Sequence, residues 1–215
     1  MKDLIDEIDA AHRAVRDGKL PAGDAHVVAL SRTYPAPVEE VWDALTDAER
    51  IPRWFLPISG DLRLGGTYQL EGNAGGEIRV CEPPERLLVT WVMGEPAGPE
   101  DASIVEVRLE PAGDGSTHLR LDHTAVVPPE MWDQFGPGAV GVGWDLTLLG
   151  MWAHLTGLAL GSPEQLDKDP TIRTCMTKSS QAWGAALAET GASPDDVAAK
   201  VTATTAFYVP PLDGA

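Results

Sequence analysis

Residues 141–155 read GVGWDLTLLGMWAHL, and this stretch decides the fold of the chain. Its large apolar side chains, among them Trp144, Leu148 and Met151, recur every three or four residues, which is the spacing of one helix face. Asp145 is the single acidic residue in the stretch. We therefore predict that residues 138–158 form the longest apolar helix of the chain.

Upstream of this helix the sequence changes to β-rich segments separated by turn sequences. Turns such as GNAGG (72–76) and CEPPE (81–85) leave little room for crossover helices, so we expect neighbouring strands to be antiparallel. In the last segment Leu119, Leu121 and His123 alternate with polar residues, which predicts one buried and one exposed face. We predict about six strands in all, at residues 26–34, 62–70, 76–81, 86–93, 103–110 and 117–126.

Two short helices are predicted between the first strand and the second. The segment PAP (35–37) ends the strand, and apolar residues follow it at helical spacing. Thr46 and Glu49 have the spacing of a capping box, which predicts a second short helix through Trp54 and Phe55.

Both ends of the chain are predicted to be helical. Leu4, Ile8 and Val15 share one helix face that ends at Gly18, before a linker at residues 21–24. After residue 168 we predict two more helices, each begun by a capping residue and a proline, at DP (169–170) and SPDD (193–196).

The chain is strongly acidic, with 33 Asp and Glu against 16 Lys and Arg and a net charge of -17. The electrostatic field of this negative charge repels phosphate backbones and anionic lipid surfaces, so we expect no nucleic acid and no membrane as partner. The N-terminus lacks the apolar core of a signal peptide. Cys81 and Cys175 lie far apart in the sequence and are expected to be reduced thiols, so we expect a cytoplasmic location.

The order of predicted elements resembles a known superfamily. Strand, two short helices, five strands and a long helix, with the segments quoted below, resemble the START-like, or SRPBCC, superfamily over about residues 26–158. The closer likeness is to the branch homologous to the C-terminal domain of the heat-shock-protein-90 ATPase activator (Aha-type), and the whole chain is similar to actinobacterial SRPBCC-domain proteins. The segments are TYPAPVEEVWDALTDAERIPRWF (33–55), DLRLGG (61–66), GGEIRVCEPPERLLVTW (75–91) and GVGWDLTLLGMWAHL (141–155).

The resemblance implies an α+β helix-grip fold. In this fold a curved antiparallel sheet, here of about six strands, wraps around the long C-terminal helix, with extra helices at both ends. We expect three parts: an N-terminal helix and linker (1–22), a START-like domain (23–160) and a C-terminal helical extension (161–215).

The resemblance also implies an apolar cavity between the concave sheet and the long helix. Such a cavity suits a small apolar ligand, although buried tryptophans are also ordinary core residues. Trp132 and Phe135, in the loop before the long helix, are expected either to cover the cavity mouth or to fix that loop. The ligand-binding residues expected by motif are Trp54, Phe55, Tyr68, Trp91, Trp144, Leu148 and Met151, together with His123.

His123 is the polar residue that we expect to face this cavity. By strand alternation it shares a face with Leu119 and Leu121, so its imidazole points inward. Two roles are open: a hydrogen bond or proton transfer to a ligand, or a core histidine satisfied by a backbone group. The neighbouring Asp122 faces the other way, so the pair is not a dyad.

Three functions follow from the resemblance. The first is the binding of a small hydrophobic molecule by a carrier, sensor or sequestering protein. The second is a polyketide cyclase or aromatase-like enzyme, with His123 and Tyr68 positioning the substrate. The third is a chaperone-cofactor-like or homodimeric interaction module, in which the helical additions at both ends (1–19 and 170–208) bury surface on the partner. No metal-ligand spacing, nucleophile elbow or phosphate loop is present in the sequence, so we expect no metal, no cofactor and no catalytic residue identified by motif.

Overall fold

The sheet and the long helix are both present in the computed structural model, which describes residues 4–94, 102–161 and 163–212. None of the helices in these ranges combines the length and the apolar character needed to cross a bilayer. The strands are β1 (His12–Leu20), β2 (Gly23–Tyr34), β3 (Ile58–Gly60), β4 (Thr67–Leu70), β5 (Ala74–Glu82), β6 (Arg86–Thr90), β7 (Val92–Met93), β8 (Ser103–Pro111) and β9 (Thr117–Ala125). The helices are α1 (Leu4–Ala10), α2 (Val38–Thr46), α3 (Pro129–Phe135), α4 (Gly138–Thr156), α5 (Pro163–Leu166), α6 (Pro170–Ala188) and α7 (Pro194–Tyr208), with a 3-10 turn at Ile51–Arg53.

One antiparallel sheet is formed by these strands. Their order is β1-β2-β9-β8-β6-β5-β4-β3, and β7 pairs with β5. On β9 the alternation predicted from the sequence holds, because Leu119, Leu121 and His123 are buried. The apolar face of the sheet packs on α4, where the Tyr34 hydroxyl donates a hydrogen bond to the Leu148 carbonyl (3.0 Å). The α+β helix-grip architecture is therefore confirmed.

The N-terminal helix predicted as far as Gly18 is wrong beyond Ala10. Residues 12–20 form β1, and the predicted linker at 21–24 lies at the turn between β1 and β2, where Gly23 has a φ of +144°. The physical reason is Arg13, which is buried in β1. Alternation reveals a strand by the apolar residues on its buried face, so a charged residue on that face conceals the strand. The counter-charge of Arg13 lies 132 residues further along the chain, where local periodicity cannot detect it.

The sheet has nine strands in the described residues rather than about six. β1 and β3 are additional, and the strand predicted over 86–93 divides at Trp91 into β6 and β7. The strand predicted from residue 62 begins at Thr67. The turn sequence at 94–101 lies outside the described residues from residue 95 onward.

The capping box predicted at Thr46 is also wrong. The Thr46 hydroxyl donates to the Trp42 carbonyl inside α2 (2.8 Å), and a 3-10 turn follows instead of a second helix. The Asp47 carboxylate stabilises the turn before it by accepting from the backbone N–H groups of Glu49 (2.7 Å) and Arg50 (3.0 Å).

The two predicted C-terminal helices are confirmed, with the expected caps. The Asp169 carboxylate accepts from the Thr171 and Ile172 N–H groups, and the Ser193 hydroxyl accepts from the Asp196 N–H. The apolar stripe of α6 packs within the chain, against α4, α1 and β1. Gly141 permits the close approach of α4 and α6, since a Cβ there would lie 2.3 Å from Cε2 of the fully buried Trp183.

A buried carboxylate on α4 joins these layers. Asp145 has no exposed surface. Its Oδ1 accepts from Arg13 Nη2 (2.8 Å), and its Oδ2 accepts from Arg13 Nε (2.9 Å). Oδ2 also accepts from the Ser179 hydroxyl and from Trp183 Nε1 (2.9 Å). Four donors from β1 and α6 thus fix the position and rotation of α4.

We predict that Asp145→Asn lowers the free energy of unfolding by about 3–5 kcal/mol, because it leaves the Arg13 guanidinium buried without its counter-charge. Urea unfolding followed by tryptophan fluorescence measures the change. The matched control is Asp61→Asn, which removes an exposed partner of Arg63, with the two side chains 53% and 78% exposed. For this control we expect a change below about 1 kcal/mol.

The double variant Arg13→Met, Asp145→Leu separates charge from packing. No unmatched charge remains in it, so we expect it to be more stable than Asp145→Asn. If Asp145→Asn and Asp61→Asn unfolded at the same urea concentration, the buried pair would not have the importance assigned to it.

Candidate ligand-binding site

An apolar cavity lies between the concave face of the sheet, α2 and α4. Its volume is about 140 Å³, and it is partly open to the surface. An engineered apolar cavity of about 150 Å³ is large enough to hold benzene. The wall consists of Leu45, Thr46, Ile51, Trp54, Phe55, Ile58, Leu62, Tyr68, Leu70, Ile78, Cys81, Leu87, Val89, Trp91, Val105, Val107, Leu121, Trp144, Thr147 and Leu148.

Aromatic rings form two contacting groups in this wall. The centroids of Trp91 and Trp144 are 4.8 Å apart, and those of Tyr68 and Trp91 are 6.3 Å apart. Trp54 and Phe55 stack at 5.7 Å. Ring contacts of this kind stabilise the wall and present flat apolar surface to the cavity.

Most polar groups of the wall are already hydrogen-bonded to the protein. Trp54 Nε1 donates to the Ala44 carbonyl (3.0 Å), which fixes the indole against α2. The Tyr68 hydroxyl donates to the Thr90 carbonyl (2.8 Å). Burial raises the pKa of Tyr68 above its usual value, so this hydroxyl remains neutral.

His123 stands behind the wall and supports Trp144. Trp144 Nε1 donates to His123 Nδ1 (3.0 Å). Because Nδ1 is an acceptor, the neutral ring carries its proton on Nε2, which lies 2.9 Å from the Ser103 hydroxyl oxygen. Burial lowers the pKa of His123 to about 4, so the imidazole is neutral at pH 7.

The eight residues expected to bind a ligand fall into two groups in the structure. Met151 and His123 are buried and are not among the residues that line the cavity. The other six line it together: Trp54, Phe55, Tyr68, Trp91, Trp144 and Leu148. A role in binding for any of them stays a prediction.

Three polar wall residues, Thr46, Cys81 and Thr147, were not expected in the cavity wall from the sequence. Thr147 follows Trp144 by three residues on α4, so helical spacing alone indicates it. Cys81 and Ile78 both line the cavity, although they are three residues apart on β5 and would face opposite sides of a regular strand. A register shift between Ile78 and Val80 turns the following residues over, and strict alternation cannot anticipate it.

Trp132 and Phe135 lie on α3, away from the cavity wall. Trp132 stacks on His26 with ring centroids 3.5 Å apart and nearly parallel planes. Phe135 contacts Phe207 of α7 at 5.8 Å. Of the two roles considered for these side chains, these contacts correspond to fixing the segment before α4.

No charged side chain occurs among the described wall residues. The described ranges also contain no group of three or more His, Cys, Asp or Glu side chains placed to hold a metal ion. The arrangement can therefore enclose an uncharged, apolar, ring-containing molecule with few directed polar contacts.

Comparison with known proteins gives one family and several similar structures. Residues 35–156 match the family model described as Activator of Hsp90 ATPase homolog 1-like protein. No curated protein matches the chain. The crystal structure of CalU16 from Micromonospora echinospora is 38% identical, with a TM-score of 0.65, over 83% of this chain and 98% of CalU16.

Two further structures have lower identity. DynU16, a protein in the dynemicin biosynthetic locus, is 28% identical with a TM-score of 0.51, over 61% of this chain and 48% of DynU16. PFC0360w, an HSP90 activator from Plasmodium falciparum, is 23% identical with a TM-score of 0.52, over 61% of this chain and 96% of that protein. At that identity PFC0360w shares the fold alone.

The family match spans more than half of the 215 residues, from α2 through strands β3 to β9 and α4. The chain belongs to the Activator of Hsp90 ATPase homolog 1-like family of the SRPBCC superfamily.

Proposed function

We propose that this protein binds a small, neutral, hydrophobic molecule in the cavity, as a carrier, sensor or sequestering protein. The observation that carries the proposal is the wall itself, which is rich in aromatic rings and carries no charge among its described residues. A charged ligand would lose its hydration without gaining a partner. Burying an unpaired polar group that is uncharged already costs ~2–7 kcal/mol, and burying an ion costs more. A neutral apolar molecule meets no such cost.

The similarity to DynU16 supports a small-molecule role. That protein belongs to a biosynthetic locus, and its 28% identity to this chain accompanies the same fold. We expect the present protein to act in the cytoplasm, in agreement with its cysteines, which form no disulfide in the described residues.

Binding is favoured over a cyclase-like reaction by the hydrogen bonds of His123 and Tyr68. Both ring nitrogens of His123 have side-chain partners within the protein, and the Tyr68 hydroxyl donates to a backbone carbonyl. A general acid or base must reach the proton that it transfers. His123 instead fixes the indole of Trp144, which is a positioning role.

A docking or homodimeric function has less support in the structure. The apolar stripes of the end helices, which such a function would use, are covered within the chain by α1, α4, β1 and the contact between α6 and α7. We therefore retain ligand binding as the single proposed function.

We predict that protein isolated from its own host carries a neutral apolar compound. Native mass spectrometry followed by solvent extraction detects it. Val105→Phe fills the cavity from β8 and should abolish its recovery, because the added ring occupies the space of the ligand. The matched control is Ile104→Phe, a neighbour that points to the opposite face of the sheet and should leave recovery unchanged.

Cys81 provides an independent measurement. Its half-buried thiol lines the cavity, whereas Cys175 is buried elsewhere in the core. We expect the extracted compound, added back, to slow alkylation of Cys81 by N-ethylmaleimide and to stabilise the fold by about 2.7 kcal/mol at 100 times its Kd. If wild-type protein yields no compound and a thermal-shift screen of lipophilic metabolites is flat, the proposed function is wrong.

The pH dependence of stability tests the neutral state of His123. Its pKa is about 4 in the folded protein and 6.5 in the unfolded chain. Between these values the unfolded chain binds a proton that the folded protein does not bind. The stabilising contribution is thus complete above pH 6.5 and declines as the pH falls toward 4, by about 3 kcal/mol in total at 1.36 kcal/mol per unit.

Urea unfolding from pH 7 to pH 4 measures this effect against His123→Gln, which retains an acceptor for Trp144 but does not titrate. We expect the variant to lose less stability over this range than the wild type does, since the other titratable groups are common to both proteins. Parallel curves would show that His123 is not buried in its neutral form.

A further inference from the structure

Among the described residues, one indole N–H and one hydroxyl of the cavity wall form no hydrogen bond within the chain. The hydrogen bonds of Thr46, Trp54, Tyr68 and Trp144 are all made within the chain. In the described part of the chain, neither Trp91 Nε1 nor the Thr147 hydroxyl forms a hydrogen bond.

Both groups remain accessible. The fully buried side-chain nitrogen and oxygen atoms without a partner, among the described residues, belong to Arg32 alone. Trp91 and Thr147 are each half-buried, and both line the cavity. Their hydrogen-bonding groups are therefore neither sealed in the core nor satisfied by it.

The two groups lie on the same side of the cavity. The Trp91 ring packs on the Trp144 ring at 4.8 Å. Thr147 is one helical turn after Trp144 on α4, a spacing that places two side chains next to each other. Trp91 and Thr147 are thus both neighbours of Trp144 in the cavity wall.

We propose that the cavity selects a neutral, ring-containing molecule with a carbonyl-type acceptor, held by Trp91 Nε1 and the Thr147 hydroxyl. This inference rests on the proposed function and adds the chemistry of the ligand. The indole N–H is a donor only, so its partner must be an acceptor. A carbonyl oxygen has two lone pairs and can accept from both residues. The ring of the ligand then packs against the aromatic wall.

The partners of the other tryptophans make this assignment specific. Trp54 and Trp144 present the same indole group to the wall, but their N–H groups are bound to Ala44 and His123. A ligand without an acceptor leaves the Trp91 N–H unpaired in a partly closed space, which lowers its affinity relative to a ligand that pairs it.

Two probes of one shape test the proposal. Acetophenone has a carbonyl oxygen where α-methylstyrene has a CH2 group, and the two are otherwise closely similar in shape. We expect the full-length protein to bind acetophenone about thirtyfold more tightly, the ratio that two additional hydrogen bonds of ordinary strength provide. Isothermal titration calorimetry, with protection of Cys81 from alkylation as the second readout, gives both affinities.

Three variants locate the acceptor. Thr147→Val keeps the side-chain shape and Trp91→Phe keeps an aromatic ring, and both remove the donor. Each should lower the acetophenone to α-methylstyrene ratio, and the double variant should bring it close to one. Trp54→Phe is the matched control, since its N–H is already used by the Ala44 carbonyl. It should leave the ratio unchanged even if it weakens both affinities.

The outcomes separate the two proposals. Binding of both probes with equal affinity, or a ratio that survives the double variant, overturns the acceptor assignment and leaves the cavity as a binding site. Binding that persists in Val105→Phe, or the failure of both probes to bind, overturns the proposed function and this inference together.

Discussion

The carboxylate of Asp145 is the constraint on which the rest of the molecule depends. It lies in the middle of the long apolar helix, fully buried, and it accepts hydrogen bonds from Arg13, Ser179 and Trp183. A buried charge is tolerated when its partners are in place and is costly when one is missing. The sheet edge at β1, the helix α4 and the outer helix α6 must therefore be positioned together.

The position of α4 in turn determines the cavity. With Asp145 turned toward Arg13 and α6, Trp144 and Leu148 of the same helix line the cavity beside the sheet. Trp144 is fixed at its indole nitrogen by His123, and His123 is held by Ser103 on the neighbouring strand β8. A polar network outside the cavity thus stabilises an apolar wall inside it. This division explains why the most polar residue expected in the cavity is absent from its surface.

Periodicity predicted the elements that depend on burial alone. The long helix, expected at residues 138–158, forms at Gly138–Thr156, and the inward direction of His123 follows from alternation on β9. The pattern failed where a side chain depends on a distant partner, as for Arg13 in β1, and where the register shift in β5 brings Cys81 into the wall. Motifs in the sequence identified six aromatic and aliphatic wall residues. The sequence could not show which of their polar groups form hydrogen bonds within the protein, because those bonds depend on the folded geometry.

The inward-pointing Arg13 has a consequence for the synthesis of the chain. β1 and β2 leave the ribosome before β9 and can close their hairpin early. β2 must await β9, which pairs Tyr34 with Thr117. During this interval the hairpin has an unpaired edge, and pairing with other nascent chains is the usual hazard of such edges. The Arg13 charge, on the face that is later buried, opposes this aggregation. Removing water from the guanidinium is costly until α4 has folded and Asp145 can pair with it. Arg13, which pairs with Asp145 in the folded protein, thereby also protects the sheet before β9 has paired with β2.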